Sequence, residues 1–171
     1  MIRHLHHHLA LILVAAVLVA CSKQESAMHS AAVNAPAATA ATAPAKPVAM
    51  ACEMVTPATM STILGGQVVA KPDEGAGRTG CIYLPASGTG PAVELRVEWG
   101  AAQMAMKSVG MAGQAEPGLA SPLAGLGDQA AQMGPALMIA TGEDLVTIIF
   151  GGVDDVVPKA KAIFAMVKAR L

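Results

Sequence analysis

The chain has 171 residues, with 11 Lys and Arg against 12 Asp and Glu and a net charge of −1. Such a balance leaves no electrostatic footprint for nucleic acid or anionic lipid. Only Tyr83, Trp99, Phe150 and Phe164 are aromatic, too few for a base-stacking platform, although 54% of residues are hydrophobic and mean hydropathy is +0.52.

The chain begins with a short polar stretch, residues 1–8, whose only permanent charge is Arg3. Residues 9–19 (LALILVAAVLV) are an unbroken apolar run. That run is too short to cross a bilayer, which takes about 20 apolar residues, and it has the layout of a secretory signal. It closes on Leu18-Val19-Ala20-Cys21. This tetrad resembles a lipobox, the site at which bacterial prolipoproteins are acylated and then cleaved. The resemblance implies that residues 1–20 are a signal peptide. It also implies that Cys21 carries diacylglycerol on sulfur and an acyl chain on its new α-amine, which makes the lipid bilayer the first partner. Each buried methylene adds about 0.8 kcal/mol of membrane affinity, so several chains anchor firmly. Ser22 stands where inner-membrane retention typically takes Asp, which favours the outer membrane with the domain facing the periplasm. The alternative is a plain signal peptide with Cys21 incidental. His4, His6, His7 and His8 leave with the signal on either reading. Removal of residues 1–20 removes Arg3, so the mature charge is 10 − 12 = −2. No second stretch approaches 18 apolar residues, so the mature chain is expected to be soluble apart from its anchor.

After Cys21 the chain runs in Ala, Thr, Pro and Ser as far as residue 49. Such a segment cannot bury enough surface to offset its ordering entropy, and it reads as a tether. Residues 50–171 are then one domain of ordinary size.

Thr56-Pro57 opens a helix, with Thr56 as N-cap and Pro57 in the first turn. Val55 and Met60 are placed as a hydrophobic staple, Ile63 and Leu64 continue the buried face, and Gly65-Gly66 ends it. A strand over 67–70 and a turn-rich loop over 71–80 follow, then a strand over 81–84. Residues 92–99 alternate Val93, Leu95, Val97 and Trp99 with Glu94, Arg96 and Glu98, the pattern of a half-buried strand. A modest helix over 101–109 puts Ala102, Met106 and Val109 on one side, and 111–127 reads mostly as loop. Strands are expected over 130–133, 137–141 and 145–150, joined by Gly134-Pro135 and Gly142-Glu143-Asp144. Val156, Val157, Ala160, Ile163, Phe164, Val167 and Leu171 fall at helical spacing and close the chain with an amphipathic helix. The expected fold is α+β, order αβββαβββα, an antiparallel sheet with helices packed on one face.

Cys52 and Cys81 are an even pair in an exported chain, and a disulfide is the default. A redox or metal-binding pair is the alternative, without CxxC spacing or a nearby histidine. Cysteine before a Thr-Pro helix, cysteine within a strand, Gly125-Leu126-Gly127-Asp128, a strand hairpin and a closing amphipathic helix together resemble small bacterial envelope lipoproteins with domains of unknown function. Their fold is similar to that of the photosystem protein PsbP. The resemblance implies a binding or accessory role toward an envelope protein, with no catalytic residues to carry over.

The domain has no histidine, and His29 lies in the tether. A Ser-His-Asp or Cys-His arrangement and histidine-bound zinc are therefore excluded. The acid pairs Asp73/Glu74, Glu143/Asp144 and Asp154/Asp155 sit at turns or a helix start, where acids are ordinary. Gly125-Leu126-Gly127-Asp128 reads as a tight turn, with an anion nest as the alternative. The chain's 11 methionines are its one unusual count. Met104, Met106 and Met111 could offer thioethers to Cu(I), yet Met104 and Met106 point to different helix faces, and core filling is the simpler use. The expected function is a non-enzymatic, cofactor-free accessory or protein-binding lipoprotein of the envelope. A carrier of Cu(I) or of a small apolar ligand is the runner-up.

Overall fold

The computed structural model describes residues 49–171. Cys21, Ser22, His29, the signal segment and the tether up to residue 48 lie outside the described residues. In chain order the elements are α1 (Ala51–Met54), α2 (Pro57–Leu64), β1 (Val68–Pro72), β2 (Arg78–Pro85), β3 (Ala92–Glu98), α3 (Ala102–Ala115), β4 (Ser121–Pro122), β5 (Gln129–Met133), β6 (Ala136–Thr141), β7 (Asp144–Gly151) and α4 (Val156–Lys168). The α+β class is as expected, and the order differs by two additions, α1 and the two-residue β4.

All seven strands pair antiparallel in one sheet, ordered β1-β2-β3-β7-β6-β5-β4. The register aligns side chains into rows across it. Thr79, Val97, Val146, Ile139 and Ala130 form one row; Cys81, Leu95, Ile148 and Leu137 form the next. These rows share a face because successive strand side chains alternate. That face is the core, closed by Ala51, Met54 and Val55 around α1, Met60 of α2, and Ala160, Ile163, Phe164 and Val167 of α4. Among the described residues the core cluster is continuous and both ends of the disulfide lie in or against it, so residues 49–171 carry a core and a staple of their own inside one compact unit.

Helices α1, α2 and α4 lie on that face; α3, expected on the same side, does not. Its buried residues, Ala102 and Val109, stand outside the main cluster together with Ala131, Ala140 and Leu145 of the opposite strand parity. Helix α3 thus covers the β5-β6-β7 half of the other face. The apolar residues that alternate to that side (Leu145, Ala140 and Ala131) need a cover, and α3 is the element that supplies it.

Helix α1 has one turn, far below the length at which a helix holds in water. It is fixed from outside. Thr79 Oγ1 accepts the Ala51 N–H at 2.9 Å and donates to Glu74 Oε1 at 2.9 Å. The fully buried Tyr83 donates its hydroxyl to the Val55 carbonyl at 2.5 Å. The Cys52–Cys81 disulfide, with Cα atoms 5.0 Å apart, ties the helix to β2. In α2, Thr56 accepts the Thr59 N–H at 3.3 Å and Gly65 caps the helix at φ 75°, as the sequence predicts.

Burial pushes the Tyr83 phenol well above its ordinary pKa of 10.0. The unfolded chain therefore ionises first as pH rises. Tyr83 stabilises the fold in full below about pH 10 and progressively less above it. Tyr83→Phe, which orphans the Val55 carbonyl, should cost about 1–3 kcal/mol at neutral pH. Urea unfolding of both proteins between about pH 9 and pH 11 should show the steeper alkaline loss in the wild type; parallel pH curves would refute this.

Candidate functional site

Of the acid pairs, Asp73, Glu74 and Asp144 have structural work for their side chains. The Arg78 guanidinium hydrogen-bonds Asp73 Oδ2 at 2.7 Å and holds that carboxyl below the usual aspartate range. Arg96 reaches Asp73 at 3.9 Å and pairs with Glu94. Glu74 accepts from Thr79. Asp144 Oδ1 accepts the Gly100 N–H at 3.1 Å, and the Glu143 carbonyl accepts the Ala102 N–H at 3.0 Å. These two bonds tie the start of α3 to the β6–β7 turn. Asp155 precedes α4 in a left-handed conformation, φ 51°, without a capping side-chain bond, and the Asp154 carbonyl accepts from Lys159 at 2.8 Å.

Gly125-Leu126-Gly127-Asp128 is a turn that serves the core. Leu126 is 2% exposed and belongs to the main cluster. Asp128 donates its N–H to the Ala140 carbonyl at 2.8 Å, and its Oδ2 accepts the Gly142 N–H at 2.7 Å.

The methionines do not converge. Met104 is 76% exposed and Met111 is 54% exposed on α3, while Met106 turns toward the sheet side. Met104 and Met111 are seven residues apart, about 10 Å along a helix. That separation suits no single copper ion. Among the described residues, no group of three or more His, Cys, Asp or Glu side chains could hold a metal ion.

Among the described residues, a concave feature lies beneath α3. Two adjoining hollows, each of about 460 Å³, run between this helix and β4–β6. Met106 and Gln129 line both, so the hollows form one trough. Its first part is bordered by Gln103, Lys107, Asp128 and Gly142. Its second part is apolar, with Val109, Gly110, Gly113, Leu123, Ala130 and Ala131. The trough exists because the residues facing each other are small. A Cβ on Gly110 would meet nothing within 4 Å. Only Ala102 and Val109 of α3 are buried, so the helix stands off the sheet over much of its length.

The helix runs to Ala115, six residues past the expected end at 109. Gly110 and Gly113 argue for a stop, at about 1 kcal/mol each against Ala. Packing overrides them: Gly113 sits 3.4 Å (from an ideal Cβ) against Ala120, where a larger residue would hold the chain away. Ala102, Met106, Val109 and Gly113 recur at helical spacing, and that signal was available in the sequence. The comparisons with known proteins add nothing to the site: no protein family, no characterised protein and no solved structure matches this chain.

Proposed function

We propose that the chain is a lipid-anchored envelope protein, held through an acylated Cys21 and facing the periplasm, which works by binding rather than by catalysis. The trough under α3 is the binding surface in this reading, and its occupant is a small apolar ligand. The observation that supports it is the unfilled apolar space between Val109, Gly110, Leu123 and Ala131 in a domain otherwise closed by a continuous core. Protein interiors pack to the density of organic crystals, so an open apolar trough invites an occupant. The PsbP-like resemblance agrees with a binding role and rests on residue pattern alone. An accessory role beside an envelope protein is the second reading. It draws on the uncovered half of the outer sheet face, where the cross-strand partners Val69 and Leu84 are 54% and 43% exposed.

The anchor and the trough are tested separately. Cys21→Ser should abolish incorporation of labelled palmitate and leave the chain at its unprocessed size; normal processing and membrane retention in that variant would sink the anchor. Native mass spectrometry of the protein released from envelopes should find a small molecule bound to the wild type and lost from Gly110→Leu. Empty protein in both would remove the trough as a site.

A further inference from the structure

We infer that the trough takes a linear amphiphile, one acyl chain with an anionic head, the head lying between Gln103 and Lys107 and the chain running toward Gln114. The inference rests on the reading of the trough as a ligand site and names its ligand class. Three observations carry it. The trough is elongated: it follows α3 from Ala102 to Gln114, about 18 Å at 1.5 Å per residue, the length scale of a long acyl chain. It is polarised, because Gln103, Lys107 and Asp128 border one end while the other, with Gln114 and the shared Gln129 as its polar members, is lined mainly by Val109, Gly110, Leu123, Ala130 and Ala131. Glycine and alanine supply much of its walls, which leaves smooth space that a flexible methylene chain can follow.

Charge decides the head. Among the described residues, Lys107 has no carboxylate within ion-pair distance. Its long stem can lie along the trough while the ammonium stays wet. Asp128 stands at the same end with Oδ2 engaged by the Gly142 N–H at 2.7 Å, so Lys107 is the cation there that can meet an anionic head, and the nearby acid keeps its effect modest. Met106 lies at the junction of the two parts and can re-pack around a chain, as methionine does at adaptable surfaces. The class has two sources, a free fatty acid and a lysophospholipid, which share the chain and the anionic head.

The test uses residues 49–171, exported behind a cleavable signal and purified without detergent. Dodecanoate, dodecanol and a dodecanoyl lysophosphatidylglycerol are titrated by calorimetry below their micelle-forming concentrations. Saturable binding of dodecanoate or of the lysolipid is expected. Gly110→Leu should weaken it about tenfold or more, because its side chain fills the apolar part. The fold should survive, since a Cβ at Gly110 meets nothing within 4 Å; Gly110→Ala is the milder arm and should raise the urea midpoint. Lys107→Gln should weaken the anionic ligands about two- to fivefold and leave dodecanol unchanged. Preference for the lysolipid assigns the membrane as source, and preference for dodecanoate assigns the free acid. Binding that ignores Gly110→Leu, or a Lys107→Gln loss shared equally by dodecanol, overturns the assignment. Binding of a compact apolar probe such as naphthalene without either acyl anion overturns it while leaving the trough a ligand site. Failure of every probe removes both.

Discussion

Gly127→Ala is expected to destabilise the domain by about 3 kcal/mol or more. Gly127 holds φ 56°, where an L side chain is strained. Its missing Cβ would stand 2.2 Å from the Ala140 carbonyl oxygen and 2.7 Å from Ile139 Cγ2. The carbonyl is backbone, and it accepts the Asp128 N–H, so it cannot swing aside without breaking that bond. Ile139 is fully buried and has nowhere to go. The loss would be a large share of the 5–15 kcal/mol by which domains are usually stable. Gly125→Ala is the internal control. It shares the left-handed conformation, φ 74°, but an added Cβ meets only Lys161 Nζ at 4.0 Å, the far end of a flexible side chain. That variant should lose about 1–2 kcal/mol. Urea unfolding of the two variants beside the wild type separates the clash from the backbone preference. Equal losses at both glycines would mean that the close approach to Ala140 is not there.

Loss of the Cys52–Cys81 bond is the second large effect. The bond spans 29 residues, and loop-closure entropy for that length puts its contribution at about 3–4 kcal/mol. Local structure adds a reason for the loss to be felt. Helix α1 has a single turn and relies on the bond, on Thr79 and on Tyr83 to stay seated. The paired Cys52→Ala/Cys81→Ala variant should therefore unfold at markedly lower urea, and amide exchange should quicken first at Ala51 and Val55. Thiol labelling of the denatured, unreduced protein should find neither cysteine. Quantitative labelling of both without reductant, or an unchanged urea midpoint in the double variant, would contradict the bond's role.

The two effects come from features that differ in how far the sequence shows them. Cys52 and Cys81, an even pair once Cys21 is read as a lipidation site, point to a disulfide by parity. The role of Gly127 is invisible before the fold is known, because Ala140, whose carbonyl it meets, is thirteen residues away and comes close only through the β5–β6 pairing.

The same division runs through the fold and the site. The alternation in β3, the Thr56-Pro57 start and Gly65 end of α2, the hairpin strands β6 and β7 and the apolar stripe of α4 are local patterns, each set by the period of its own backbone, and each is readable residue by residue. Other features needed the tertiary structure. Helix α1 exists because Thr79, Tyr83 and Cys81 hold it from β2. Strand β2 begins at Arg78, inside the expected loop, because β3 is there to pair with it from Glu98 onward. Helix α3 passes through two glycines and crosses to the other face because Ala131, Ala140 and Leu145 need cover there. The trough follows from that crossing. Its walls come from a helix, a short edge strand and a central hairpin that no local period relates. The sequence by itself determined the disulfide pair and the elements with strong periods, and it holds the lipobox-like tetrad that ends at Cys21. Only the tertiary structure decided the faces, because which side of a sheet a helix covers depends on contacts between segments far apart in the chain, and those contacts leave no period to read.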